Sequence, residues 1–186
     1  MEGSVGKVLV ELHKELRRNG NARSVRAALW RFGALSGHVR PQKGRVYAQN
    51  LLPCLEQIAR RPEELLHEAL ALASHQILAA LGTFSSDSEL KVLLRTLLKN
   101  LAAASAVVRR AAASCVAAVC LNSGKPQPLL AWSARLALLP LAVERPEAAT
   151  VLGGLGLCRL LAPHLAHAPD LLLQVRERES ATPSPT

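Results

Sequence analysis

The sequence predicts an all-α protein made of tandem helical hairpins, and three observations predict it. Of its residues 49% are apolar but only 3% are aromatic, and the apolar ones are mostly Ala and Leu, which favour helices over strands. Along several stretches the apolar residues recur at the three-and-four spacing that gathers them on one face of a helix. Short blocks of similar wording then return at a near-constant interval. That is the mark of a repeat array, in which no single hairpin can bury both of its faces alone.

The interval is read from three blocks. Ser24-Val25-Arg26-Ala27-Ala28-Leu29-Trp30 is echoed by Val107-Val108-Arg109-Arg110-Ala111-Ala112-Ala113, with Leu65-Leu66-His67-Glu68-Ala69-Leu70-Ala71 between them. Aligning Val25, Leu66 and Val108 gives steps of 41 and 42 residues, and one more step reaches Ala149. Such a period is that of HEAT arrays. The expected architecture is therefore an α-solenoid of about four antiparallel hairpins, approximately residues 5–38, 45–82, 89–122 and 128–166, followed by a disordered polar tail over 169–186.

The elements follow in order. The first helix is expected over residues 5–18, where Leu9, Leu12 and Leu16 share a face. Asn19-Gly20-Asn21 closes it with residues that tolerate left-handed backbone, and Ser24 can cap the next helix. Pro41 marks a break before a helix over 45–60, and Pro62 a break after it. Ser86-Asp87-Ser88-Glu89 supplies capping residues for a helix over 89–103. There Leu90, Leu93, Leu94, Leu97, Leu98 and Leu101 line one face, and Lys91, Arg95 and Lys99 another. Asn122-Ser123-Gly124 with Pro126, and then Pro146, bracket a helix over 128–143. Pro53 and Pro140 fall inside helical patterns and are expected to kink the chain or end a helix early.

Small residues at the start of each second helix, Ala27, Ala28, Ala69, Ala111 and Ala112, are expected to let neighbouring hairpins approach closely. Beside them, Arg26 and Arg109 can bond loop carbonyls or an acid of the adjacent repeat. Trp30, Phe32 and Tyr47 are expected in the core, with Phe84 at a loop.

Charge is uneven. The formal net charge is +9, and residues 1–62 hold 12 Lys/Arg against 4 Asp/Glu, so nearly all the excess lies in the N-terminal third. A solvated helix surface accounts for this, and an acidic protein, an anionic membrane or nucleic acid is the alternative. Two stretches, 129–143 and 148–163, are strongly apolar, but Arg135 and Arg159 interrupt them and each is shorter than a span of about 20 residues. Neither is expected to cross a membrane. The start of the chain has no basic, apolar and cleavable pattern of a secretory signal, so a cytoplasmic location, with a nuclear one beside it, is expected.

No constellation for chemistry is complete. Cys54, Cys115, Cys120 and Cys158 form no Cys-x-x-Cys pair and read as reduced, buried thiols. His164 and His167 could face a metal together, but no further ligand stands near them in sequence. His67 and His75 lie eight apart on one helix, near Glu64 and Glu68, and read as solvated side chains. Gly153-Gly154-Leu155-Gly156 lacks the strand-turn-helix setting of a phosphate loop and reads as a place of close helix packing. Aromatic residues do not alternate with basic ones, as base stacking requires. No enzyme activity, cofactor, metal or small-molecule substrate is expected. Thr182-Pro183 and Ser184-Pro185 have the form of proline-directed phosphorylation sites.

The wording of the chain is more specific than a generic array. Asn19-Gly20, Arg23-Ser24, Arg26-Ala27-Ala28-Leu29-Trp30-Arg31-Phe32, Val39-Arg40-Pro41-Gln42-Lys43, Asn50-Leu51-Leu52-Pro53-Cys54-Leu55 and Arg61-Pro62-Glu63-Glu64 closely resemble the N-terminal HEAT region of the huntingtin family. So do Glu89-Leu90-Lys91-Val92-Leu93-Leu94 and Arg109-Arg110-Ala111-Ala112, and the resemblance runs over about residues 8–165. The amphipathic start, polyglutamine tract and proline-rich segment of full-length members have no counterpart here. A fragment or a divergent relative is expected.

The resemblance implies a scaffold without an active site, linked to vesicle and microtubule-based transport, autophagy and nuclear roles. It also implies two kinds of partner: a helical huntingtin-associated protein, and the remainder of a longer HEAT chain. The end hairpins lack evident polar caps, so self-association of the isolated piece is expected, and a monodisperse monomer in light scattering would contradict it.

Overall fold

The computed structural model describes residues 2–165. The tail expected over 169–186, with Thr182 and Ser184, and also His167, lie outside the described residues. Among the described residues eight α-helices follow one another: α1 (Glu2–Arg17), α2 (Ala22–Leu35), α3 (Pro41–Ala59), α4 (Glu64–Leu81), α5 (Asp87–Asn100), α6 (Ala106–Leu121), α7 (Pro126–Leu138) and α8 (Ala148–Leu165). Short 3-10 turns stand at Ser36–His38, Gly82–Phe84 and Leu139–Ala142, and the described residues contain no strand.

Two layers result. The odd-numbered helices pack in chain order along one layer and the even-numbered helices along the other, while each odd helix packs on the even helix that follows it. This is the all-α solenoid of helical hairpins that the repeat predicts. The second helices begin at Ala22, Glu64, Ala106 and Ala148, each 42 residues after the last. The step of 41 between Val25 and Leu66 thus slips by one residue, because Leu66 and His67 are both buried and either can oppose an apolar slot.

Local chemistry sets the helix ends. Asn19 takes φ 50°, and the Gly20 N–H turns back to the Glu15 carbonyl at 2.7 Å, closing α1 with a left-handed cap. The cap of α2 is Asn21 and not Ser24: the Asn21 side chain accepts the Ser24 N–H at 2.9 Å. Ser86 and Glu89 form a reciprocal capping box at the head of α5. Pro41 and Pro126 stand at the expected breaks and begin the helices that follow, since a first-turn position needs no N–H and suits the fixed φ of proline. α3 runs on through Pro53, which faces solvent, whereas the α-helix stops short of Pro140 and tightens into a 3-10 turn.

Equivalent positions in successive hairpins are joined by side-chain bonds spanning about one period. Arg61 donates to the Gly20 carbonyl at 3.2 Å, and Ser36 to the Gln76 carbonyl at 3.3 Å. Asn100 donates to the Ala59 carbonyl at 2.8 Å, Thr96 to the Glu56 carboxylate at 2.7 Å, and Ser105 to Glu64. Arg45 grips Glu89 through both ends of its guanidinium, at 2.7 and 3.0 Å. Sequence separations of 40 to 44 residues along this ladder are the repeat period written in hydrogen bonds.

Glycine serves the same close approach. A Cβ on Gly82 would collide with the Asn122 carbonyl oxygen, and one on Gly153 with the Leu101 carbonyl oxygen. Gly153 and Gly154 of the glycine cluster in α8 thus serve close packing, as the sequence setting implies, whereas Gly156 faces open space. α8 is nonetheless 18 residues long, against the shorter stretch expected over 148–163, and with Glu64–Phe84 it is one of two segments among the described residues long and apolar enough to cross a membrane. Glu64–Phe84 lies largely inside the stack; α8 is mostly uncovered.

Candidate functional site: a trough over three second helices

The even-numbered layer carries a cavity of about 520 Å³. α2 supplies Arg26 and Trp30; α4 supplies Leu65, Glu68, Ala69, Ala71 and Leu72; α6 supplies Val107, Arg110, Ala111 and Ser114. Its walls are apolar and open, since Leu72 is 66% exposed and Trp30 44% exposed. Buried Ala69 and Ala111 form the floor, where the lack of bulk leaves room for another molecule's side chain.

The lining repeats by translation. Arg26, Glu68 and Arg110 are successively 42 residues apart, and so are Trp30, Leu72 and Ser114. One row thus reads positive, negative, positive across the trough, and the row beside it is apolar at Trp30 and Leu72 and polar at Ser114. The Arg26 guanidinium lies 4.6 Å from the Trp30 ring centroid, a stacked arrangement that holds both side chains at the rim. Among the described residues Arg26, Glu68 and Arg110 take part in no ion pair with one another.

The residues singled out in the sequence divide. Arg26, Trp30, Ala69 and Ala111 line the trough; Ala28 and Ala112 are buried between helices; Ala27 stands exposed. Arg109 turns away and donates to the carbonyls of Ala103 and Ala104 at 2.8 and 2.7 Å, fixing the loop before α6. Arg26 makes no such bond, so its counterpart in the trough is Arg110. Trp30 does not enter the core, because its ring stacks beneath Arg26 at the surface, whereas Phe32 is fully buried as expected and Tyr47 is half-buried. Phe84 stands in the connection between α4 and α5, as expected, and packs its ring against Gly44.

His67 is not solvated. It is 3% exposed, and its Nε2–H donates to the Arg61 carbonyl at 2.6 Å, which satisfies the ring in an otherwise apolar position. His75 is exposed and lies 3.1 Å from the Ser114 hydroxyl. Cys54, Cys115 and Cys120 are buried and Cys158 is half-buried, so the last departs from the buried thiols expected. Burial pushes the Cys115 thiol up to about 12 and those of Cys54 and Cys120 up to about 11, which keeps them protonated and poor nucleophiles. The described residues contain no group of three or more His, Cys, Asp or Glu side chains placed to hold a metal ion.

The sequence alone assigns Leu65, Glu68, Leu72 and Arg110 no part in a site. Their signal was present: Leu65 and Leu72 stand seven apart on either side of Glu68, and the pattern returns 42 residues on at Val107, Arg110 and Ser114.

Stacked hairpins of this period, presenting a trough, define a helical scaffold of the HEAT class. A family model described as Huntingtin, N-terminal HEAT 1, matches residues 1–125. The chain is 42% identical to Huntingtin of Takifugu rubripes over 167 residues, which cover 89% of this chain and 5% of that protein. It is 30% identical to the HD protein homolog of Dictyostelium discoideum over 105 residues, which cover 56% of this chain and 3% of that one. The chain belongs to the huntingtin family, and it spans at most 5% of the length of these two relatives.

Proposed function

We propose that this chain acts as a protein-binding scaffold in vesicle and microtubule-based transport and in autophagy, in the cytoplasm and also in the nucleus. The supporting observation is the trough, where Trp30 and Leu72 are left exposed above a floor of small side chains. Exposed apolar residues in a concave setting are the anchor points of protein interfaces. The partner is a helical huntingtin-associated protein, and further HEAT repeats of a longer chain can stack on the same solenoid.

The alternative is electrostatic binding of nucleic acid or an anionic membrane through the N-terminal third. It is weakened by where the basic residues go. Arg31, Arg45, Arg60 and Arg61, four of the 12 Lys/Arg in residues 1–62, already hold a carboxylate of this chain.

Sedimentation of the purified chain with the purified helical partner, at low and high salt, separates the two readings. A complex that persists at high salt is the expected result. Binding restricted to duplex nucleic acid or anionic vesicles, and abolished by salt, would overturn it. In cells, Leu72→Glu is expected to reduce vesicle runs along microtubules and autophagic flux at unchanged protein level; normal transport and flux would count against those roles.

A further inference from the structure

The trough carries more information than apolarity, because its charged row alternates in sign. Arg26, Glu68 and Arg110 stand at equivalent positions of adjacent helices, with Glu68 and Arg110 exposed and Arg26 half-buried. Packed helices lie about 8–10 Å apart, and seven residues of a helix rise about 10.5 Å. A helix laid across α2, α4 and α6 would therefore meet each charge of the row about two turns after the last.

We propose that the trough receives an amphipathic helix of a partner protein that carries an acid, a base and an acid at intervals of about seven residues. Its apolar side chains between the charges enter over Ala69 and Ala111. The inference rests on the scaffold reading and names the class of partner.

Charge complementarity selects this occupant. A purely acidic segment would place one carboxylate against Glu68, and a basic one would oppose both guanidiniums, so either loses what the alternating pattern gains. The guanidinium of Arg26 lies over the Trp30 ring with its Cζ 4.6 Å from the centroid, and a guanidinium held on an aromatic face can still offer N–H groups to a carboxylate. Leu72 and Trp30 beside the row then cover the partner's apolar stripe. Nucleic acid, which presents phosphates without an alternating base, does not satisfy the row.

The test uses the full chain with Trp132→Phe, which leaves Trp30 as its one tryptophan and thus a reporter at the rim. The probes are a stapled acid–base–acid peptide with leucines between the charges, its sign-reversed twin, and an all-acid version. Tighter binding of the first, by about tenfold over each of the others, is expected, with a change in Trp30 fluorescence. The variant Arg26→Glu, Glu68→Arg, Arg110→Glu, with its helicity verified by circular dichroism, is expected to prefer the sign-reversed peptide. Equal binding of all three peptides, a preference for the all-acid one, no saturable binding, or an unchanged preference in the inverted variant would each overturn the inference. If the helical protein partner still binds in that case, only this inference fails and the scaffold reading stands.

Discussion

The first three hairpins and the fourth are held by different means. From α1 to α6, each hairpin is bonded to the next by side chains that reach backbone carbonyls or carboxylates about one period away, as Arg61 does to Gly20 and Asn100 to Ala59. α7 and α8 join without such one-period bonds among the described residues: Gly153 and Gly154 bring α8 against Leu101 and Ala137, Trp132 lies beneath Lys91 and Arg95 of α5, and the Cys120 Sγ stands 3.4 Å from the Ser133 hydroxyl. α8 also leaves Leu152, Leu155 and Leu160 exposed. The match to the family model ends at residue 125, just beyond α6, so the laddered hairpins are the ones it covers. In a solenoid, where each repeat touches only its neighbours, such differences become differences in local stability.

The largest effect that would break this contrast is a side chain at the glycine contact. Gly153→Leu drives bulk into the Leu101 carbonyl and is expected to cost about 3 kcal/mol or more, undocking α8 while α1 to α5 keep their protection from hydrogen exchange. Gly156→Ala, three residues on and facing open space, is its control and is expected to leave α8 docked, stabilising it by about 0.5–1 kcal/mol at most.

Next in size is the ladder itself. Arg61→Ala removes the donors that reach Gly20 and the ion pair with Glu63, with an expected loss of ~1–3 kcal/mol in denaturant unfolding. Arg109→Ala frees the Ala103 and Ala104 carbonyls and is expected to cost about 1 kcal/mol, against less than about 0.5 for Lys99→Ala. Comparable melting temperatures for the last two variants would contradict the structural part given to Arg109.

The smallest effect is on pH. The Arg45 guanidinium, followed by the Ser86 N–H, holds the Glu89 carboxyl down to about 2. A carboxylate so lowered contributes stability above its ordinary range, and that contribution is lost as pH falls from about 4 toward 2. Glu89→Gln is therefore expected to lower the melting temperature at neutral pH and to flatten its fall on acidification. The effect is small, because the pair is solvated and screened.

How much of this the sequence foretold depends on the kind of interaction. Helix number, hairpin order and the glycine contact follow from apolar period, punctuation and the size of side chains, all of which are local. The repeat register slipped by one because Leu66 and His67 are both buried, and a histidine hydrogen-bonded to a carbonyl can occupy an apolar slot. Trp30 was placed in the core since large aromatic residues usually bury, but a cation over its face holds it at the surface. The trough was half legible: its small floor residues were recognised as spacers, whereas Leu72 and Arg110 gain meaning only when three helices stand side by side.

Native-state hydrogen exchange, followed peptide by peptide, tests the central claim most directly: that a polar ladder one period long joins three hairpins while the fourth docks without it. Amides of α7 and α8 are expected to exchange through an opening of lower free energy than those of α1 to α6, which open together. Exchange of α7 and α8 as slow as that of α5 and α6 would contradict it.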